Sequence, residues 1–207
     1  MKIRPAPAAA LLLALTALLP APAAAQPALR RAADEPATAF AARVLGQPED
    51  ELQVVETVWN GTPAVFADHL VRQITDKGYK IETRRIVLLS RSADGSWRRI
   101  AVTDAEEEGG TAEVAAIGFA NADRDADREL IVLLKWPQVH YDYGGAFYEV
   151  RLFDTPRPGQ AALTYLAGPS RIFGGIGCEC SRRDGSATTF RFKTIALIKR
   201  ELTRRGY

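Results

Sequence analysis

ANADRDADRELIVLL, residues 120–134, joins a short acidic loop directly to an apolar run. Side chains with oxygen atoms recur at every second residue of the loop, so several of them can turn inward while the intervening side chains point outward. The run at residues 130–134 is apolar at consecutive positions, which is typical of a strand that is buried on both faces. The stretch therefore predicts a loop suited to a hard cation, followed by a central strand.

Five residues of this loop are candidate metal ligands: Asn121, Asp123, Asp125, Asp127 and Glu129. We expect Asp127 to offer its backbone carbonyl and the others their side-chain oxygens. The loop is not an EF-hand, because the twelfth position counted from Asn121, where an EF-hand has a bidentate Glu, is Val132. Oxygen ligands in such a loop favour Ca²⁺, with an expected dissociation constant of roughly 10⁻⁴ to 10⁻³ M.

The loop resembles the strand-loop-strand calcium loops of FG-GAP and VCBS-type repeats, written Asp-x-Asp-x-Asp-Gly-x-x-Asp/Glu-Leu. The resemblance covers a single copy of the loop, so it implies a calcium site and not a propeller of repeats. The chain departs from the pattern where Asn121 replaces the first acid and Ala126 replaces the glycine. Arg124 and Arg128 leave an alternative open, in which these arginines pair with the aspartates and no ion is bound.

The first 25 residues have the pattern of a cleaved secretory signal peptide. Lys2 and Arg4 precede an apolar run at residues 8–19, and small residues before Gln26 suit cleavage. The run is shorter than the ~20 residues of a membrane-spanning helix, and no later segment is long and apolar enough to be one. We expect a periplasmic or secreted protein with a flexible leader at residues 26–36 and one globular domain at residues 37–207. With its single loop and late cysteine pair, the chain resembles uncharacterised exported bacterial proteins.

Charge is nearly balanced, with 27 Lys and Arg against 25 Asp and Glu, and two of the basic residues lie in the signal segment. A nucleic-acid-binding protein would carry a concentrated basic face. The composition therefore predicts no nucleic-acid partner, and we expect an envelope glycan or protein as the partner.

The two cysteines, Cys178 and Cys180, are separated by one residue. Because free thiols so close together do not persist in an oxidising compartment, we predict a local disulfide between them. A redox-active or metal-binding pair is the alternative. It is disfavoured because no third or fourth soft ligand lies nearby in the sequence.

The remaining pattern predicts an α+β fold, with an antiparallel, meander-rich sheet of about six to eight strands and a few flanking helices. Strands are expected at residues 51–59, 79–90, 97–103, 111–119 and 129–135, with turns at Asn60-Gly61 and Asp94-Gly95. Helices are expected at residues 36–45 and, at the C-terminus, 194–205. Residues 172–180 are rich in glycine, which predicts an irregular segment.

Two places in this pattern are ambiguous or broken. Thr62-Pro63 suits the start of a helix, and Phe66, Leu70 and Ile74 recur every four residues, so we expect a helix at residues 63–77, with a strand hairpin as the alternative. Pro137 cannot donate a ladder hydrogen bond, so we expect the strand before it to end at residues 136–137.

A second candidate site is the aromatic segment WPQVHYDYGGAFY at residues 136–148. Aromatic side chains with polar tips beside glycines suit a ligand-binding loop, and the candidates are Trp136, His140, Tyr141, Asp142 and Tyr143. The alternative, which we favour, is that these side chains cover the edge of the core.

Support for catalysis is small. His140 with Asp142, and Asp68 with His69, are the candidate acid-base pairs. The alternative function is an envelope hydrolase, or an inhibitor of an envelope enzyme, that uses His140, Asp142 and the neighbouring tyrosines. Neighbouring residues of a strand point in opposite directions, however, and the sequence has neither Gly-x-Ser-x-Gly nor His-Glu-x-x-His. We assign no catalytic residue and expect a non-enzymatic binding module.

Overall fold

The computed structural model describes residues 29–207, which form two antiparallel sheets and three α-helices. The predicted signal peptide and the first residues of the leader lie outside the described residues. The first sheet contains β1 (Gln53–Trp59), β2 (Thr62–Ile74), β3 (Lys80–Arg91) and β4 (Trp97–Glu106). The second contains β5 (Glu113–Ala120), β6 (Glu129–Val139), β7 (Tyr143–Phe153), β8 (Gly177–Arg182) and β9 (Ala187–Thr188). The helices are α1 (Ala37–Leu45), α2 (Ala167–Ser170) and α3 (Ile195–Arg204), and 3-10 turns lie at Glu49–Glu51 and Arg171–Phe173.

The two sheets pack face to face, and each carries helix on its outer face. Phe66 and Leu88 of the first sheet share one buried cluster with Leu130 and Val132 of the second. On the outside of the first sheet, Phe40 of α1 packs into a separate cluster. The C-terminal helix α3 covers the outside of the second sheet. The predicted α+β class with a C-terminal helix is confirmed, as two sheets rather than one.

Strand β6 is buried on both faces, as its apolar run predicts. Leu130, Val132 and Leu134 face the first sheet, whereas Ile131 and Leu133 belong to the cluster beneath α3. Alternate residues of a strand point to opposite faces, so a strand between two packed layers has no polar side. This places β6 at the centre of the molecule, between β5 and β7.

The prediction that β6 ends at Pro137 is wrong. The strand continues to Val139, and Pro137 pairs with Ala146 of β7. Pairing with β5 stops at Lys135, opposite Glu113. Pro137 therefore lies on a stretch of β6 that has a partner strand on one side only, where a proline is tolerated.

The prediction of a helix at residues 63–77 is also wrong, because β2 occupies this region. Asn60 (φ 46°) and Gly61 (φ 78°) both adopt positive φ, as a two-residue hairpin turn of type I′ requires. The turn pairs Trp59 with Thr62 and brings β2 back along β1. A four-residue spacing is also a multiple of two, so Phe66, Leu70 and Ile74 fit a strand face as well as a helix face.

The glycine-rich segment at residues 172–180 is only partly irregular, because its end forms β8. Gly174 and Gly175 have positive φ, whereas Gly177 is required by packing, because a Cβ there would lie 2.2 Å from the Phe190 ring. Close packing also requires Gly145 on the neighbouring strand β7, where a Cβ would lie 2.1 Å from the Glu179 carbonyl oxygen. The predicted Cys178–Cys180 disulfide is confirmed within β8, with Cα atoms 5.4 Å apart.

The described part of the predicted leader runs beside the first sheet. The Trp97 amide donates to the Leu29 carbonyl at 2.9 Å, and Arg31 forms an ion pair with Glu56. Within residues 29–207, no helix is both long enough and apolar enough to cross a membrane.

Candidate metal site

The acidic loop connects the end of β5 to the start of β6, where Ala120 pairs with Glu129. Glu129 is the first residue of β6 and is completely buried, with 0% of its surface exposed. Ala122, at the start of the loop, is equally buried. The loop therefore folds its two ends into the protein interior and leaves its middle in solvent.

Three carboxylates of the loop converge. One oxygen each from Asp123, Asp125 and Glu129 lies within 4.8 Å of the other two. Two oxygens that bind the same Ca²⁺ at about 2.3–2.6 Å lie at most ~5 Å apart. The three side chains are thus spaced as ligands of one cation would be.

Glu129 differs from the two aspartates of the cluster because its carboxylate is buried. Its Oε2 accepts hydrogen bonds from the backbone N–H groups of Ala122 and, at 3.3 Å, Asp123. Its Oε1 is buried and has no hydrogen-bond partner among the described residues. Burial raises the pKa of the Glu129 carboxyl, and the negative charge of Asp123 raises it further. An ionised carboxylate here is costly unless a cation compensates it.

The two aspartates are oriented by the loop backbone. Asp123 Oδ1 accepts from the Asp125 amide at 2.9 Å, and Asp125 Oδ1 accepts from the Asp127 amide at 2.8 Å. The Asn121 side-chain amide donates to the Asp125 carbonyl oxygen at 3.1 Å. These contacts fix the aspartate side chains through one oxygen each.

The structure brings together three of the five predicted ligands. Asp127 does not belong to the carboxylate cluster, and its side chain lines a neighbouring cavity instead. Asn121 braces the loop through its amide group. Within residues 29–207, neither Arg124 nor Arg128 forms an ion pair with a loop carboxylate. The structure therefore does not contain the alternative arrangement, in which these arginines pair with the aspartates.

The end of the loop is fastened to the first sheet by residues that the sequence did not single out as functional. Asn60 Oδ1 accepts from the Arg128 amide at 3.1 Å, and Asn60 Nδ2 donates to the Arg128 carbonyl at 3.1 Å and to Thr155 Oγ1 at 2.8 Å. The Trp59 indole N–H also donates to the Arg128 carbonyl. Because Asn60 lies 68 residues from Arg128 and 95 from Thr155 in the sequence, no local pattern indicates this contact.

The aromatic segment splits into a buried part and an exposed part. Trp136 is 1% exposed and donates its indole N–H to the Glu106 carbonyl at 2.7 Å, so it belongs to the core. The other four candidates lie at the β6–β7 turn beside a shallow groove of about 320 Å³. There the His140 ring stacks on Tyr143 with centroids 5.0 Å apart, while Tyr141 is 73% exposed.

Neither suggested acid-base pair is joined side chain to side chain within residues 29–207. His140 Nδ1 accepts from the backbone amide of Asp142 at 3.3 Å, so that nitrogen does not face the carboxylate. Asp68 and His69 point to opposite faces of β2, where Asp68 meets Arg84 at 3.3 Å.

Comparison of the chain with protein-family models, with curated proteins and with solved structures gives no match.

Proposed function

We propose that this chain is an exported, periplasmic binding module whose β5–β6 loop holds a calcium ion through Asp123, Asp125 and Glu129. The observation that carries the proposal is the Glu129 carboxylate. It is fully buried, one of its oxygens has no partner among the described residues, and two further carboxylates face it within 4.8 Å.

The donor set favours calcium among common cations. All three groups are carboxylates, which are hard oxygen donors, and neither cysteine sulfur nor imidazole lies in the cluster. Mg²⁺ demands near-ideal octahedral geometry at about 2.0–2.1 Å and keeps several waters. An irregular loop with an exposed middle, where backbone carbonyls and water can complete the coordination, suits the larger ion.

A cation at this position would connect the two ends of the loop. Glu129 belongs to β6, whereas Asp123 and Asp125 belong to the exposed part of the loop. The hydrogen bonds between Asn60 and Arg128 attach the end of this loop to the β1–β2 turn of the first sheet. Calcium binding therefore stabilises the folded chain at the place where the two sheets meet, and we propose that an envelope glycan or protein is bound by the module so stabilised.

Thermal unfolding in calcium, in magnesium and in chelator tests the metal site. A ligand that binds only the folded state adds about 1.4–2.7 kcal/mol when its concentration is ~10 to 100 times the dissociation constant. For a chain of this length that corresponds to a rise in Tm of about 3–10 °C. We expect this rise in calcium and a smaller one in magnesium.

Glu129→Gln gives a sharper test, because its effect should change sign. In chelator the variant should be at least as stable as the wild type, since it removes a buried charge without a counter-ion and keeps an oxygen for the Ala122 amide. In calcium the variant should be less stable. Asp76→Asn, an exposed turn residue, is the matched control and should retain the full calcium response. Equal loss of stability in both buffers would show that Glu129 only caps the loop, and the proposal would fail.

A further inference from the structure

A polar cavity of about 190 Å³ opens at the end of the sandwich, next to the acidic loop. Its floor is the inner face of the first sheet. Ala64 pairs with Ser90, and Ser90 pairs with Arg98, so these residues form one row across three strands. The neighbouring row, Phe66, Leu88 and Ile100, is fully buried core. The inner face thus carries two polar side chains, Ser90 and Arg98, in the row next to this apolar core.

The opposite wall comes from two loops that follow strands of the second sheet. Asp127 of the acidic loop and Thr155, which follows β7, line the cavity on this side. Thr155 is held by the Asn60 amide at 2.8 Å, so this wall is fixed relative to the first sheet. The cavity is consequently a feature of how the two sheets pack, and not of one mobile loop.

The two arginines that line the cavity are not paired with carboxylates among the described residues. Arg98 is half-buried, and among residues 29–207 its side chain forms only a long hydrogen bond of 3.5 Å to the Arg157 carbonyl. Neither Arg98 nor Arg91, which also lines the cavity, forms an ion pair within the described part of the chain. A half-buried guanidinium with free N–H groups is a preferred partner for a carboxylate, which it binds through two parallel hydrogen bonds.

We infer that this cavity binds a sugar acid, with its carboxylate on Arg98 and its hydroxyl groups on Asp127, Ser90 and Thr155. Its volume is below the ~300–1,000 Å³ of sites for drug-sized ligands, so it suits one monosaccharide unit. The hydroxyls of Ser90 and Thr155 and the carboxylate of Asp127 supply acceptors that a simple anion site would not need. The inference names a ligand class for the proposed binding module and rests on that role, but it does not require calcium.

NMR titration with D-glucuronate tests the inference, because the Trp59 indole N–H is a reporter in the lining of the cavity. Glucose, succinate and inorganic phosphate are the comparison ligands, and a short oligouronate distinguishes a free sugar acid from the end of a glycan. We expect glucuronate to shift the Trp59 signal with a dissociation constant in the roughly millimolar range or tighter. Glucose should bind at least about tenfold more weakly, because it lacks the carboxylate.

Arg98→Ala and Arg99→Ala form a matched pair, since the two residues are neighbours on β4 and point to opposite faces. Arg98→Ala should weaken glucuronate binding by at least about tenfold, and Arg99→Ala should leave it within about twofold. An unchanged indole signal of Trp136, which is buried in the core and does not line the cavity, shows that the ligand-free Arg98→Ala protein is folded. Arg98→Lys, which keeps the charge but not the paired hydrogen bonds, should bind with intermediate affinity.

The inference is overturned if glucuronate gives no shift up to about 20 mM, if phosphate or succinate binds as well as glucuronate, or if Arg98→Ala and Arg99→Ala behave alike. The calcium effect on Tm is measured separately. A calcium response without glucuronate binding therefore refutes the proposed ligand and leaves the metal site standing. Glucuronate binding without a calcium response refutes the metal site and leaves the proposed ligand standing.

Discussion

Asp68→Asn should remove a pH dependence that one buried carboxyl imposes on folding. Asp68 is 5% exposed on the inner face of β2, and its nearest charge is Arg84 Nη1 at 3.3 Å. Burial raises the pKa of Asp68 to about 6, against the opposing effect of Arg84. The usual value is near 3.8. Between these two values the folded protein binds more protons than the unfolded chain, so the free energy of unfolding falls as pH rises.

The size of this effect follows from the two pKa values. Each unit of difference is worth about 1.4 kcal/mol, so the wild type should lose about 2–3 kcal/mol of stability between roughly pH 4 and pH 7 through this group alone. The Asn variant should not lose it. Urea unfolding of both proteins, monitored by tryptophan fluorescence at several pH values, gives the difference between their free energies of unfolding. The contributions of all other titrating groups cancel in this difference.

Two results would refute this reasoning. If the difference in unfolding free energy between the wild type and Asp68→Asn does not change with pH, Asp68 has an ordinary pKa in the folded protein. A variant that becomes progressively less stable than the wild type as pH rises would mean that Arg84 outweighs burial and keeps the carboxylate ionised.

Two further substitutions test contacts that shape the site. Asn60→Gly keeps the positive-φ turn but deletes the amide contacts to Arg128 and Thr155, so it should cost about 1–3 kcal/mol in denaturant unfolding and weaken the calcium response; no change would show that the loop is held elsewhere. Gly145→Ala places a Cβ 2.1 Å from the Glu179 carbonyl and should destabilise the protein by at least about 2 kcal/mol, whereas Gly168→Ala meets nothing within 4 Å and should be nearly neutral; equal effects of the two changes would contradict the packing argument.

The sequence predicted those elements in which one periodicity was unambiguous. Five consecutive apolar residues could belong only to a buried segment, and β6 is that segment. Residues 63–77 were misjudged because a four-residue repeat satisfies both a helix and a strand. The Asn60-Gly61 turn before them, read together with β1, was the better guide, because such a turn fits a hairpin and not a helix start.

The candidate metal site was predicted in part. Residue type and spacing indicated the loop, but alternation alone could not show that Asp127 lines a cavity while Asp123 and Asp125 meet Glu129. The cavity itself had no sequence signal. Its floor and its opposite wall come from segments far apart in the chain, and only the packing of the two sheets brings Arg98 near Thr155.

The order of the strands also bears on how the chain reaches this structure. Within each sheet the strands pair in the order in which they follow one another in the chain, and the two sheets occupy successive, non-overlapping stretches of the chain. Most strands can therefore be added as hairpins, each of which closes a short loop at a small cost in chain entropy. The exception is β8, which is joined to β7 by residues 154–176, including α2. The main encounter between distant segments is the meeting of the two inner faces, Phe66 and Leu88 against Leu130 and Val132. Pairing between successive strands gives a lower contact order than crossovers between distant strands would, which favours faster folding.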